Sequence, residues 1–283
     1  MSQDTNSKIL EKLSAMEKEE GKLPLLLEFY RGLLQAQSKA HKPATPTGLS
    51  LSSDAIQQHM LKGLPLVSFD DLVLDWPSVQ NMFTKVVAVF TRYPELFGEI
   101  ASSMKEPEAG RLLTRKAAKA WFTGKVLPQE LLEGVRENLI QTIIQATFQP
   151  FLTDYSRALI KSVDQDNWRR GYCPICGGNP DMAFLEKEIG ARWLMCSRCD
   201  FQWLFQRLEC HCCGNREQKF LSFLADDTEQ YRLYACEQCK SYLKAVDLRK
   251  TDDEVLLPLE RLNTLDLDSQ AKSYGYQPCQ RPE

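Results

Sequence analysis

Apolar positions recur at helical spacing through the first part of this chain and in short strand-like runs through the later part. Val79, Met82, Phe83, Val86, Val87 and Phe90 follow i, i+3, i+4, i+7, i+8 and i+11, the stripe of an amphipathic helix. Asp75-Trp76-Pro77 predicts its start and Pro94 its end. Leu26, Phe29, Tyr30 and Leu33 predict another helix after Pro24. Leu132, Val135, Leu139 and Ile143 predict a third between Pro128 and Pro150, and Leu152, Tyr155, Leu159 and Val163 a fourth. Residues 111–122 read as helical too. These Leu, Phe and Val stripes are read as core. Residues 42–53, rich in Pro, Thr, Ser and Gly, read as a loop. His41 and His59 are isolated and read as ordinary surface residues.

Beyond residue 170 the period changes. Segments 181–186, 192–195, 220–225 and 231–235 are short and rich in aromatic and aliphatic residues, and read as strands. Asp226-Asp227 marks a hairpin turn. Cysteine pairs punctuate these strands: Cys173/Cys176, Cys196/Cys199, Cys210/Cys213 and Cys236/Cys239, four Cys-x-x-Cys knuckles within 67 residues. The first two are separated by 19 residues and the last two by 22. Both spacings fit a four-thiolate metal site.

The knuckles form an internal repeat. Cys173 to Cys210 and Cys176 to Cys213 are each 37 residues, and Cys196 to Cys236 and Cys199 to Cys239 are each 40. Repeat logic groups Cys173, Cys176, Cys196 and Cys199 in one site and Cys210, Cys213, Cys236 and Cys239 in the other, over the swapped pairing. Gly177 and Gly214 follow the first and third knuckles. Glycine there permits positive φ, which lets backbone N–H groups face sulfur. A unit of about 40 residues is too small to be stable on core burial alone, so the metal is expected to supply folding free energy.

Other chemistries fit the pattern less well. Disulfides are disfavoured for clustered Cys-x-x-Cys without a secretory signal. Thioredoxin-type chemistry uses one reactive pair beside a βαβ pattern. All-thiolate sites leave no open coordination position, which argues against Lewis-acid catalysis. Within Cys210-His211-Cys212-Cys213, the spacing favours the outer two as ligands, with His211 in a surface or packing role. Cys279, in a polar tail, is read as a free thiol.

Composition narrows the partners. Net charge is −3, and between Arg170 and Lys250 stand 12 Lys/Arg against 11 Asp/Glu. That balance lacks the basic footprint of a phosphate binder. Residues 1–21 are polar and charged with no apolar stretch of a secretory signal, and no apolar run approaches a membrane span. A soluble, cytoplasmic protein with no stable membrane insertion and no nucleic-acid partner is expected. The tail opens with Asp252-Asp253-Glu254, then Val255, Leu256, Leu259 and Leu262. It predicts a short helix with an acidic first turn, packing back onto the helical half.

Cys173-Pro174-Ile175-Cys176-Gly177, Arg192-Trp193-Leu194-Met195-Cys196-Ser197-Arg198-Cys199, Trp203, Arg207, Cys210 and the last knuckle with its strand, 236–244, resemble the formate dehydrogenase accessory protein FdhE family. The resemblance is specific over about 171–250 and rests on architecture upstream. It implies an α+β multidomain chain: an all-α helical domain over 1–168, rubredoxin-like domains over 169–208 and 209–250, and a partly helical tail over 251–283. It implies a non-enzymatic maturation factor that binds the catalytic subunit of respiratory formate dehydrogenase in the cytoplasm. The eight knuckle cysteines carry over as ligands of two Fe ions per chain, with Zn as the alternative. Arg192, Arg198, Arg207, Trp193 and Trp203 are candidate contacts, unless the tryptophans fill small cores and the arginines are a solvated face. A nucleic-acid-binding zinc ribbon and an iron- or dithiol-dependent redox protein are the competing readings.

Overall fold

A computed structural model describes residues 3–46, 51–100, 104 and 109–279. By contacts the chain divides into two units, Met1–Leu49 with Ser68–Tyr155, and Ser50–Val67 with Ser156–Glu283.

The first unit is helical. It contains α1 (Gln3–Glu20) and α2 (Leu25–Ala40); the second unit holds α3 (Ser53–Lys62); then follow α4 (Trp76–Phe90), α5 (Pro94–Phe97), α6 (Arg115–Phe122), α7 (Gln129–Leu132) and α8 (Glu137–Leu159). The Asp75 carboxylate caps α4 by accepting from Ser78 N–H at 3.1 Å, and Pro77 stands in the first turn. All six stripe residues of α4 are buried. Thr114 caps α6 in the same way, while Arg111 lies outside it in a short 3-10 turn. On α2 the buried face runs through Leu27, Phe29, Leu33, Leu34 and Gln37, so Leu26 and Tyr30 sit at its margin. Of the expected loop over 42–53, residues 47–50 lie outside the described residues and Ser53 opens α3.

Pro150 does not separate two helices: it stands inside α8. A proline removes one i→i−4 hydrogen bond, here leaving the Ala146 carbonyl without its helical donor. The Gln37 side-chain amide supplies that bond at 2.7 Å, and Gln37 is itself buried. An interior glutamine on an apolar face thus follows from a proline 113 positions away in sequence. Gln37→Leu is expected to lower unfolding free energy by about 1–3 kcal/mol, the cost of a buried carbonyl left unpaired, as read from the urea midpoint. Leu132 and Val135 precede α8 rather than lying on it. His41 is not a bystander: its Nε2 meets Asp154 Oδ2 at 2.8 Å, and its ring packs on Phe151.

The second unit is built on one sheet: β1 (Pro180–Leu185), β2 (Arg192–Cys196), β3 (Gln202–Phe205), β4 (Leu221–Ala225), β5 (Tyr231–Cys236), β6 (Ser241–Asp247) and β7 (Gln277–Pro278). The order is β3-β2-β1-β6-β5-β4, with β7 beside β6. The two antiparallel three-stranded halves are the two repeat units. They join by parallel pairing of β1 with β6, Met182↔Lys244 through Leu185↔Asp247, so the two cysteine-bearing ribbons share one sheet. Residues 50–67 group with this unit, unlike an unbroken helical domain over 1–168. Leu66 and Val67 N–H groups donate to the Pro174 and Ile175 carbonyls at 2.8 and 2.9 Å.

The tail forms α9 (Leu257–Asn263) and α10 (Leu265–Ser273). It packs on the sheet: Leu257 is buried with Met182, Phe184, Met195 and Val246, and Val255 lies against the same cluster. The apolar face of this sheet needs a cover, and the Val255-Leu256-Leu257 run meets that need. Residues 280–283 lie outside the described residues.

Candidate metal centres

The residue after the second cysteine of each knuckle is left-handed: Gly177 (φ 71°), Asp200 (57°), Gly214 (73°) and Lys240 (54°). This turns the chain back so that both sulfurs point to one side. The N–H groups of Gly177, Asp200 and Gly214 donate back to the carbonyls of Cys173, Cys196 and Cys210. Inner N–H groups face sulfur at Arg198 (to Cys196 Sγ) and Cys212 (to Cys210 Sγ), both at 3.4 Å. A left-handed non-glycine residue costs roughly 1–2 kcal/mol. At Asp200 the surroundings hold it: Arg261 from α9 donates to Asp200 Oδ1 at 2.5 Å, to Asp181 Oδ1 at 3.1 Å and to the Cys196 carbonyl at 2.7 Å.

The structure brings Cys173, Cys176, Cys196 and Cys199 together, and separately Cys210, Cys213, Cys236 and Cys239, with the sulfurs of each set all within 4.8 Å of one another. The first set has sulfur separations of 3.5, 3.5 and 3.6 Å; the second has 3.6 and 3.8 Å. A disulfide requires about 2.05 Å. A tetrahedron of sulfurs about 2.3 Å from a central ion has edges of about 3.8 Å. The spacing fits four ligands around one ion and excludes cystine within either set. Burial pushes the Cys173 and Cys199 thiols well above the ordinary range, so four thiolates gather there only if a cation neutralises them. Each cluster could hold a metal ion, and four sulfurs in this arrangement suit zinc or iron.

The two clusters differ in exposure. All four cysteines of the first are buried, whereas in the second Cys213 is exposed and Cys239 half-buried. Around the first, residues 64–67 close over the knuckle 173–176. Near the second, β7 lies along β6, Gln277 N–H donates to the Lys240 carbonyl at 2.8 Å, and Cys279 is bonded to Cys212 with a Cα–Cα distance of 5.5 Å. Cys279 is therefore not a free thiol, and Cys212 turns from the cluster to the tail. Of ten cysteines, eight are outside any disulfide. Thiol titration of the unfolded, unreduced, metal-free chain is expected to find those eight. The bond closes a loop over a sequence separation of 67. Cys279→Ser is expected to cost up to about 4 kcal/mol in the chain-entropy account, read from the urea midpoint without reductant.

Trp203 is fully buried, with its indole N–H on the Arg170 carbonyl at 2.8 Å. Trp193 is half-buried and stacks on Phe184 at 6.1 Å. Trp203 is thus core. Arg192 is also buried, 4% exposed, and is not part of a solvated face. Arg207 is exposed, and with Arg192, His211, Tyr234, Cys210 and Cys236 it lines a small cleft beside the second cluster. His211 is buried rather than on the surface. His59 is half-buried, its Nδ1 2.9 Å from the Pro65 carbonyl oxygen. Sequence reasoning missed the cover that residues 64–67 lay over the first knuckle and the Cys212–Cys279 bond. Only the pairing of two leftover cysteines could have signalled the latter.

The FdhE central-domain family model matches residues 172–207. An FdhE homolog from Aquifex aeolicus is 25% identical over 256 residues, 89% of this chain and 85% of its own length. The Escherichia coli protein FdhE is 29% identical over 110 residues, 38% of this chain and 35% of that protein. The crystal structure of the FdhE protein from Pseudomonas aeruginosa matches the fold with a TM-score of 0.64 at 20% identity, over 98% of this chain and 94% of that one.

Proposed function

We propose that this chain, FdhE-like in sequence motif and in fold, is a non-catalytic maturation factor that binds the catalytic subunit of respiratory formate dehydrogenase in the cytoplasm. The observation that carries the reading is the pair of four-sulfur clusters on one sheet, in a chain similar to FdhE homologs along 89% of its length. Cys173, Cys176, Cys196, Cys199, Cys210, Cys213, Cys236 and Cys239 are the metal ligands. Closed four-thiolate sites hold structure and offer no position for substrate, which supports an accessory role over an enzymatic one. No helix among the described residues is long and apolar enough to cross a membrane. Iron is the metal proposed for the cell, with zinc as the ion that recombinant protein takes up.

The test is anaerobic co-purification of tagged protein from cells making a respiratory formate dehydrogenase, beside a Cys236→Ser/Cys239→Ser variant. Recovery of the catalytic subunit with the wild type and its loss with the variant support metal-dependent docking. Wild-type protein that brings down no dehydrogenase subunit, or brings down nucleic acid, overturns the reading.

A further inference from the structure

Arg192 belongs to β2, a strand of the first ribbon, yet its guanidinium reaches the cleft beside the second cluster. It lies between the rings of Phe205 and Tyr234, 5.1 and 5.3 Å from their centroids. Its Nη2 donates to the carbonyls of Gln206 and Glu209, and Glu209 directly precedes Cys210. Among the described residues no carboxylate forms a salt bridge with it; the Glu209 carboxylate pairs with Arg216 at 2.8 Å instead. Burial pulls its pKa down to about 10, so it remains a cation at neutral pH.

A buried cation without a counter-charge is costly. The two carbonyls solvate the guanidinium but do not neutralise it. Two anions share the cleft: the Glu209 carboxylate, already paired with Arg216, and the second cysteine cluster, two of whose members, Cys210 and Cys236, line it with Arg192. Four thiolates around a divalent ion carry two net negative charges, and around a trivalent ion one. We propose that Arg192 is the counter-cation of the second metal site, contributed across the sheet by the ribbon that holds the first. Mutating groups just outside the ligand set typically changes metal affinity about 10–100-fold. A nearby cation also favours the more negative, reduced state of a bound iron. The two sites are consequently not independent modules: β2 supplies Cys196 to one and Arg192 to the other. This inference rests on metal loading of the second cluster, not on the identity of the docking partner.

The test separates charge from stitching. Arg192→Gln removes the charge and keeps a donor for the carbonyls; Arg192→Lys keeps the charge and loses the fork. Full-length protein loaded with zinc is challenged with a chromogenic chelator, and the second-site phase is identified as the one missing in Cys236→Ser. Second-site release at least tenfold faster in Arg192→Gln, near wild type in Arg192→Lys, and an unchanged first-site phase is the expected result. In iron-loaded protein the second-site potential is expected to fall in Arg192→Gln and to hold in Arg192→Lys. Wild-type release in Arg192→Gln, or equal acceleration in both variants, overturns the proposal. Should Arg192→Gln not fold, Arg192→Lys decides: wild-type release supports the role of charge, and fast release overturns it. Wild-type protein that takes up no metal at the second cluster overturns this inference and the metal reading together, while leaving the docking experiment to be judged by itself.

Discussion

Replacing Cys173 or Cys196 by serine is expected to unfold the sheet unit, whereas Cys213→Ser leaves it folded with one metal. The asymmetry follows from burial. The first cluster is sealed on all four sulfurs, and its knuckles are clamped by residues 64–67 and by Arg261. Four-sulfur sites contribute about 10–16 kcal/mol of apparent binding free energy, comparable to or larger than the whole stability of a typical domain, about 5–15 kcal/mol. Loss of one buried ligand therefore removes more than the unit has to spare. At the second cluster Cys213 is exposed, so water replaces the missing ligand, and the Cys212–Cys279 bond still ties the knuckle to the tail. Metal stoichiometry and far-ultraviolet circular dichroism of the two variants measure this. Equal unfolding of both, or two retained metals in Cys173→Ser, would count against it.

Gly171→Ala is expected to destabilise the same unit by about 3 kcal/mol or more, the upper range for overpacking a tight contact. A β-carbon at Gly171 would lie 1.8 Å from the His211 carbonyl oxygen and 2.7 Å from its carbon. The obstacle is backbone on both sides, so no rotamer change relieves it. The lead-in to the first knuckle and the interior of the third would have to move apart. Gly214→Ala is the matched comparison. Its φ is 73° and its nearest neighbour would be 3.9 Å away, so it pays only the left-handed penalty of roughly 1–2 kcal/mol. Urea unfolding of the metal-loaded variants ranks the two, and a Gly171→Ala protein as stable as Gly214→Ala would refute the close approach.

The two cysteine clusters were legible in the sequence because thiolate chemistry constrains spacing so tightly. The 37- and 40-residue offsets gave the grouping that the sulfur positions display. The same offsets place Asp200 opposite Lys240 as surely as Gly177 opposite Gly214. Only the glycines advertise a left-handed backbone, so the other two positions stayed silent. Four strands fell within a residue or two of their expected bounds, since each lies between a knuckle and a turn. The shared sheet was not legible: β1–β6 pairing is a contact between repeats, and each ribbon's own pattern is satisfied without it. Pro150 misled for a specific reason. A proline inside a helix is tolerated more readily when its orphaned carbonyl finds another donor, and Gln37 provides one at 2.7 Å. The tail is helical, but its helix starts at Leu257 rather than with an acidic first turn at Asp252-Asp253-Glu254, and it lies on the sheet, because an apolar Leu-Leu pair does not say which apolar face it covers. Arg192 looked like surface because nothing in Arg192-Trp193-Leu194 reveals that its guanidinium reaches the other ribbon's cleft.

Each chain is expected to hold two ions, each in a shell of four sulfurs. X-ray absorption at the metal edge, on full-length protein with its metal quantified, tests it most directly. The expected result is two ions per chain with four sulfur scatterers each at about 2.3 Å. One ion per chain, or a shell containing nitrogen or oxygen, would contradict it.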